Sequence, residues 1–144
     1  MDPLAVFTRL IMEGFATGND AVVDDVVTPG FVEHQYGFEG EGAEAIANLK
    51  SAVRGVRAMI PDVAYTIDDH VLDGDTLWVR MTSRGTHSVP VMGQPPTGRG
   101  LVLTVIDIVR FEGGRMAEHW GVPDRFALLS QVGALRRPTP STDA

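Results

Sequence analysis

Apolar residues recur at helical spacing through the first third of the chain. Asp2 and Pro3 are typical of a helix start, and Gly18 is typical of a helix end. A second, shorter helix is predicted before the breaker at 28–30, and a third follows a glycine-rich turn, with the stretch 31–35 extended between them. The apolar positions that carry these predictions are Leu4, Phe7, Leu10, Ile11 and Phe15, then Val22, Val23, Val26 and Val27, then Ala43, Ile46, Leu49, Val53 and Val56.

Beyond Pro61 the pattern changes from the helical period to the two-residue period of a β-strand. Val63, Tyr65 and Ile67 alternate with polar residues, and the turn at 73–75 indicates a hairpin. The remaining pattern predicts a strand over 77–87, a loop over 88–98, a strand over 99–111, a glycine turn, a strand over 115–121 and a helix over 123–132. The strand over 99–111 is apolar on both faces, with Leu101, Leu103, Val105 and Val109 on one face and Val102, Ile106 and Ile108 on the other.

Three helices followed by an antiparallel meander predict an α+β fold, in which the helices pack on one face of a curved sheet. A strand that is apolar on both faces needs cover on both. One face can take the helices and a cavity, and the other is expected to meet a second copy of the chain, giving a homodimer. Residues 1–133 are predicted to form a single domain and residues 134–144 a flexible C-terminal tail.

Composition narrows the class of protein. The chain has 144 residues and a formal net charge of −7, which argues against nucleic acid or an anionic membrane surface as a partner. Cysteine is absent, so disulfides, thiolate nucleophiles and cysteine-ligated zinc are excluded. The N-terminus has no signal-peptide pattern, and no apolar run approaches the roughly 20 residues of a membrane span. A cytoplasmic protein is the expectation.

Four stretches carry a resemblance to a known family. They are "FVEHQ" after the second helix, "RGTHS" at the end of a long strand, "PPTGRG" before the next strand, and the hairpin "DIVRFEGGRMAEHW". Together with the order of elements over residues 4–133, they resemble the SnoaL-like polyketide cyclases, which share the NTF2-like cone. The resemblance implies a pocket inside the cone, acid/base side chains from the last two strands, and aldol-type ring closure with no metal or organic cofactor.

The resemblance also implies a catalytic aspartate after the tryptophan of the "HW" motif, and here that position is Gly121. The nearest other carboxylates are Asp107 and Asp124. A three-residue hairpin turn at 112–114 would place Asp107 opposite His119 on the face that position 121 shares. A two-residue turn would instead place Asp107 opposite Trp120, with His119 on the reverse face. Both registers stay open at the level of sequence.

The candidate catalytic residues are therefore His119, Asp107 and Asp124. In a dry pocket a carboxylate becomes a usable base, and a partner carboxylate orients an imidazole and raises its basicity. The structural alternatives are a buried polar pair that fixes strand register and, for Asp124, a residue that complements a helix dipole. The candidate substrate-binding residues are His34, Trp120, Phe15, Phe31, Met81 and His87. No ligand spacing predicts a metal site.

The leading hypothesis is a cofactor-independent acid/base enzyme that acts on a hydrophobic carbonyl compound of polyketide, steroid or terpenoid type, by aldol-type cyclisation or isomerisation. Because Gly121 replaces the expected carboxylate, a non-catalytic protein that binds a small hydrophobic ligand is the alternative. An epoxide hydrolase or hydratase would need Asp107, Arg110 and Asp124 to converge on a water molecule, but Asp107 and Arg110 point to opposite faces of a regular strand.

Overall fold

The computed structural model describes residues 2–135 and 140 of the chain, so most of the predicted C-terminal tail (134–144) lies outside the described residues. The helical elements are α1 (Pro3–Arg9), a π-helix that continues it (Leu10–Phe15), α2 (Val22–Val26), α3 (Ala43–Met59) and α4 (Arg125–Gln131). The Asp2 side chain accepts a hydrogen bond from Leu4 N at the start of α1. Helix α1 therefore begins where its capping residue and proline predict.

Among the described residues, six strands form one sheet. They are β1 (Val27–Glu33), β2 (Gly40–Glu41), β3 (Ala64–Asp73), β4 (Thr76–Thr86), β5 (Gly100–Glu112) and β6 (Arg115–Pro123), in the spatial order β2-β1-β6-β5-β4-β3. Strands β3 to β6 are the predicted meander, in which each strand pairs antiparallel with the next. The α+β class with helices against a curved sheet is confirmed.

The sheet is mixed, and the expectation of a purely antiparallel sheet is wrong at β1. This strand runs parallel to β6, with Val27 opposite Met116 and Glu33 opposite His119. The sequence pattern placed Val27 in a helix and interpreted 28–30 as a breaker, but these residues belong to β1. The register shifts between Val27 and Val32, and such an irregularity tolerates a proline inside a strand.

The main core lies between the helices and the concave face of the sheet. Phe7, Ile11, Val53 and Val109 are among its fully or nearly fully buried members. A second cluster joins α4 to the N-terminal part of β5, and its buried residues include Leu101, Leu128 and Val132. Among the residues that the structure describes, no helix combines the length and the apolar character needed to cross a bilayer.

The convex face of the sheet carries exposed apolar side chains. Trp78, Ile108 and Trp120 are directly opposite one another across β4, β5 and β6. The two tryptophans are 47% and 37% exposed, although tryptophan is highly buried on average. Burial along β5 alternates between the two faces as its pattern predicts. None of the residues that the structure describes packs over the convex face.

Neither expected register of the β5–β6 hairpin is right in full, since Asp107 is opposite neither His119 nor Trp120. Gly113 and Gly114, both at positive φ, form a two-residue turn that pairs Glu112 with Arg115. The register then shifts by one residue, so that Arg110 pairs with Glu118 and Ala117 is the extra residue of β6. Such a bulge moves every following side chain of β6 to the other face.

Candidate active site

A cavity of about 750 Å³, including its part open to solvent, lies between the helices and the concave face of the sheet. Most of its wall is apolar, and its polar lining consists of Glu33, Gln35, Tyr65, Asp107 and His119. The apolar lining consists of Phe7, Leu10, Ile11, Phe15, Phe38, Leu49, Ala52, Val56, Met81, Val105, Met116 and Pro123.

His119 lies between two carboxylates, and all three side chains are buried. Its Nδ1 is 2.8 Å from Glu33 Oε1 and 2.9 Å from Glu33 Oε2. Its Nε2 is 2.8 Å from Asp107 Oδ1. The residues are 3% (Glu33), 4% (Asp107) and 8% (His119) exposed. Glu33, His119 and Asp107 are referred to below as the buried triad.

The strand pairing explains how the triad forms. Glu33 is opposite His119 in the parallel pair of β1 and β6. Because of the bulge in β6, Asp107 is opposite Gly121 and Val109 is opposite His119. Asp107 and His119 therefore point to the same concave face as diagonal neighbours, and the imidazole can lean over position 121 to reach the carboxylate.

Gly121 is the residue that this contact requires. A β-carbon at position 121 would lie 2.7 Å from His119 Cε1 and 2.8 Å from Asp107 Oδ1, and it would overlap the side-chain oxygen of Gln35. Real β-carbons essentially never approach other atoms so closely. The missing side chain at this position is therefore part of the site, since it gives the triad and Gln35 their space.

The carboxylates determine the charge of the imidazole. Burial by itself lowers the pKa of His119, but the charge and hydrogen bond of Asp107, and then those of Glu33, outweigh it and raise this pKa from 6.5 to about 10. At neutral pH His119 is an imidazolium that donates one N–H to each carboxylate. Such charge-assisted bonds are shorter and stronger than neutral ones.

The two carboxylates differ in how much of their hydrogen-bonding capacity is used. Glu33 binds Nδ1 of His119 with both oxygens, and its Oε1 also accepts from Gln35 N at 2.9 Å. Asp107 uses Oδ1 for His119, and within the described residues its Oδ2 makes no hydrogen bond. Because Asp107 lines the cavity, this oxygen is the one available to a bound molecule.

Tyr65 is the fifth polar group of the lining. Burial raises the pKa of its hydroxyl above the ordinary value, a hydrogen bond with Ser83 offsets part of this rise, and the charge of Asp107 adds to it. The hydroxyl therefore keeps its proton and can donate. Its ring meets Phe15 edge-on, with ring centroids 6.4 Å apart, so the two aromatic side chains form one wall.

Of the residues singled out from sequence, four line the cavity: Asp107, His119, Phe15 and Met81. Phe31 does not, because it is fully buried in the main core. Asp124 is exposed and caps α4, where its Oδ1 accepts from Ala127 N at 2.9 Å. The alternative interpretation of Asp124, as a residue at a helix N-terminus, describes its position in the structure.

His34, Trp120 and His87 also lie elsewhere. The His34 ring stacks on Trp120 with centroids 4.7 Å apart, and its Nε2 is 2.7 Å from Glu118 Oε2. Because side chains alternate between the two faces of a sheet, both residues lie on the convex face, away from the cavity. His87 is fully buried at the base of the 88–98 loop, with Nδ1 3.0 Å from Thr97 Oγ1.

Sequence reasoning missed Glu33, Gln35 and Tyr65. The signal for the first two was present in "FVEHQ". If Phe31 points inward, the two-residue period of a strand points Glu33 and Gln35 the same way and His34 outward. The segment 31–35 is too short to predict a strand by itself. Its first three residues belong to β1, which is held by pairing with β6.

Within the described residues, no group of three or more histidine, aspartate or glutamate side chains has the arrangement that could hold a metal ion. The triad itself uses both imidazole nitrogens for carboxylates, so neither is available as a ligand. The arrangement is suited to moving a proton, since it joins a free carboxylate oxygen to a buried, fixed cation inside an apolar cavity.

These features define a class: small α+β proteins whose helices and curved sheet enclose a cavity with acid/base side chains. The model of the family described as SnoaL-like polyketide cyclase matches residues 5–132. The chain belongs to this family, and the resemblance found in its sequence is confirmed.

Relatives with names or solved structures cover nearly the whole chain. The aklanonic acid methyl ester cyclase DauD of Streptomyces sp. (strain C5) is 26% identical over 147 residues, which cover 97% of this chain and 87% of DauD. The crystal structure of IdmH from Streptomyces antibioticus is 30% identical, with a TM-score of 0.80 over 92% of this chain and 99% of IdmH. TsrD from Streptomyces laurentii is 28% identical, with a TM-score of 0.78 over 94% and 99% of the two chains.

Proposed function

We propose that this protein is a cofactor-independent enzyme that closes a ring by an intramolecular aldol reaction. The observation that carries the proposal is the buried triad, in which a carboxylate with one free oxygen faces an apolar cavity. Proton abstraction next to a carbonyl needs a base of this kind, held within hydrogen-bond reach of the carbon acid.

In the proposed reaction Asp107 takes a proton from a carbon next to a substrate carbonyl, which becomes an enolate. The enolate carbon attacks a ketone carbon of the same molecule, so that one C–C bond forms and the ketone oxygen becomes an alkoxide. The proton held by Asp107 then passes to this alkoxide. No atom is lost, so substrate and product are isomers and Asp107 is regenerated.

His119 and Glu33 support the base in this proposal. The imidazolium holds Asp107 in one orientation through Oδ1, and it leaves Oδ2 without a partner among the described residues. Glu33 in turn holds the imidazole through Nδ1, so that Nε2 stays directed at Asp107. A triad fixed before the substrate binds needs little reorganisation during the reaction.

We infer that the substrate is a hydrophobic aromatic polyketide with several carbonyl groups. The wall of the cavity is mostly apolar and includes the Phe15–Tyr65 pair, which favours flat aromatic rings. The name of DauD gives the methyl ester of aklanonic acid as the substrate of that relative. This compound is therefore the first substrate to test.

The experiment incubates the protein with aklanonic acid methyl ester and follows the appearance of an isomeric product of equal mass by chromatography. Asp107→Asn is expected to lower kcat by about 10²–10⁴-fold, the usual contribution of a general base. Asp124→Asn is the matched control, because this carboxylate caps α4 outside the cavity, and it should retain turnover. Turnover by Asp107→Asn at the wild-type rate would refute the proposed base. Tight binding without turnover by the wild type would favour the non-catalytic alternative.

We also propose that two copies of the chain associate through the convex face of the sheet. The row of Trp78, Ile108 and Trp120 supports this, together with the neighbouring exposed side chains of Ile106 and Val122. A continuous apolar surface of this kind is uncommon on a monomer, and a self-complementary contact across a two-fold axis would cover it.

A further inference from the structure

The cavity holds few hydrogen-bond donors that remain available to a substrate. Of its five polar side chains, Glu33 and Asp107 are acceptors, and His119 directs both ring nitrogens to these carboxylates. The donors that remain are the amide of Gln35 and the hydroxyl of Tyr65. An enolate that forms in an apolar cavity needs a donor at its oxygen.

Gln35 is the donor that adjoins the base. Its side-chain oxygen overlaps the position that a β-carbon of residue 121 would take, a position that is itself 2.8 Å from Asp107 Oδ1. A half-turn about the last side-chain bond brings the N–H group of the amide to the same place. Tyr65 belongs to β3, at the opposite edge of the sheet from β1. The carbonyl oxygen of an enolising group is only two bonds from the carbon that loses its proton. Its donor must therefore lie beside Asp107, as the Gln35 amide does.

The loop that carries Gln35 is fixed by contacts from two helices. Phe38 N donates to Gln35 O at 2.9 Å and closes a tight turn. From α3, Asn48 Nδ2 donates to Phe38 O at 3.2 Å, and from α4, Arg125 donates to Tyr36 O at 2.7 Å. The backbone of Gln35 is therefore positioned before a ligand arrives, and this keeps its side-chain amide within reach of the space beside Asp107.

We propose that Gln35 is a catalytic residue that donates its amide N–H to the enolising carbonyl of the substrate, an assignment that rests on the proposed aldol function. Gly121 is its counterpart, because any side chain at position 121 would occupy the space of the Gln35 amide. The chain thus places a neutral donor in the space where the family resemblance implies a catalytic aspartate.

A pair of simple probes tests this assignment without turnover. 2-Naphthol carries an oxygen that can bind beside Asp107 in the manner of an enol, and 2-methylnaphthalene has nearly the same shape without it. We expect the wild type to bind 2-naphthol more tightly. The preference is measured as the Kd of 2-methylnaphthalene divided by the Kd of 2-naphthol. Gln35→Met keeps the length of the side chain but removes the donor, and it should lower this ratio by about 10-fold, the upper part of the range for one neutral hydrogen bond.

Two further variants make the binding result specific. Met81→Leu alters the cavity wall without touching the triad, and it should change the affinity for both probes alike and keep the ratio. Gln35→Leu also removes the donor and fills much of the same space with apolar atoms, so it replaces Gln35→Met if that variant does not fold. Three results would overturn the assignment. They are an unchanged ratio in the Gln35 variants, a fall of the ratio in Met81→Leu as large as in the Gln35 variants, and a wild type without preference for 2-naphthol.

Steady-state kinetics are the second test of the role of Gln35. With aklanonic acid methyl ester, Gln35→Met should lower kcat by about 10²-fold with a smaller change in KM, because the bond strengthens as charge develops on the oxygen. Wild-type kcat in this variant would contradict the catalytic role. If the wild type turns over no substrate, the proposed function fails, whereas the 2-naphthol ratio still decides whether Gln35 binds the oxygen.

Discussion

Gly121→Ala tests the central geometric claim, that an empty position opposite Asp107 makes the triad possible. The new β-carbon would lie 2.7 Å from His119 Cε1 and 2.8 Å from Asp107 Oδ1, where ordinary contacts begin at 3.4 Å. Both groups must therefore move by several tenths of an ångström. The Asp107–His119 bond, now 2.8 Å, is expected to lengthen or break.

The magnitude follows from two contributions. Overpacking of a buried site costs about 1–3 kcal/mol. Loss of a hydrogen bond between charged groups costs a further ~1.5–3 kcal/mol. Since the contributions overlap, we expect the free energy of unfolding to fall by about 2–5 kcal/mol. In a domain of this length that corresponds to a Tm lower by roughly 5–15 °C.

The assay combines thermal unfolding, followed by circular dichroism, with an NMR titration of His119. The pKa of His119 should fall in Gly121→Ala, because the carboxylate that raises it most has moved away. Gly55→Ala is the matched control, since Gly55 is an exposed residue inside α3 with nothing within 4 Å of its added β-carbon. That control should gain about 0.5–1 kcal/mol. A Gly121→Ala protein with wild-type Tm and an unchanged His119 pKa would refute the reasoning.

Two more predictions concern the triad and the convex face. The folded pKa of His119, about 10, exceeds 6.5, so its contribution to stability is complete below pH 6.5 and disappears as pH rises through 10. Urea denaturation at several pH values between 6.5 and 10 should show the free energy of unfolding fall as pH rises. Glu33→Gln should lower the pKa of His119 and weaken this pH dependence. A free energy of unfolding that is the same at every pH would contradict the prediction. In sedimentation velocity, Trp78→Arg should give monomers, whereas Met12→Arg, outside this face, should not. A wild-type monomer would end the dimer proposal.

Local chemistry accounts for the elements that sequence predicted well. Asp2 and Pro3 start α1 because an acceptor side chain and a fixed φ satisfy the first turn without help from the rest of the molecule. Burial alternates along the whole of β5, because successive side chains of a strand point to opposite faces of the sheet. The family, too, follows from motifs that are contiguous in sequence.

The site depended on contacts that no local pattern contains. Asp107 and His119 could be named as candidates, but two hairpin registers were compatible with the Glu112-Gly113-Gly114 segment. The bulge at Ala117 determines that His119 lies on the same face as Asp107, and this bulge depends on the pairing of the whole sheet. Similarly, His34 is next to Glu33 in sequence, and only the pairing of β1 with β6 directs one outward and the other into the cavity.

The sequence by itself determined the helix caps, the strand periods, the glycine turn and the membership of the family, because each depends on residues close together along the chain. The tertiary structure alone decided that Glu33 binds an imidazole 86 residues away and that Gly121 is a required space. The reason is physical. A buried charge is stable only where distant strands bring its partners within hydrogen-bond distance, and the register that does so is a property of the assembled sheet.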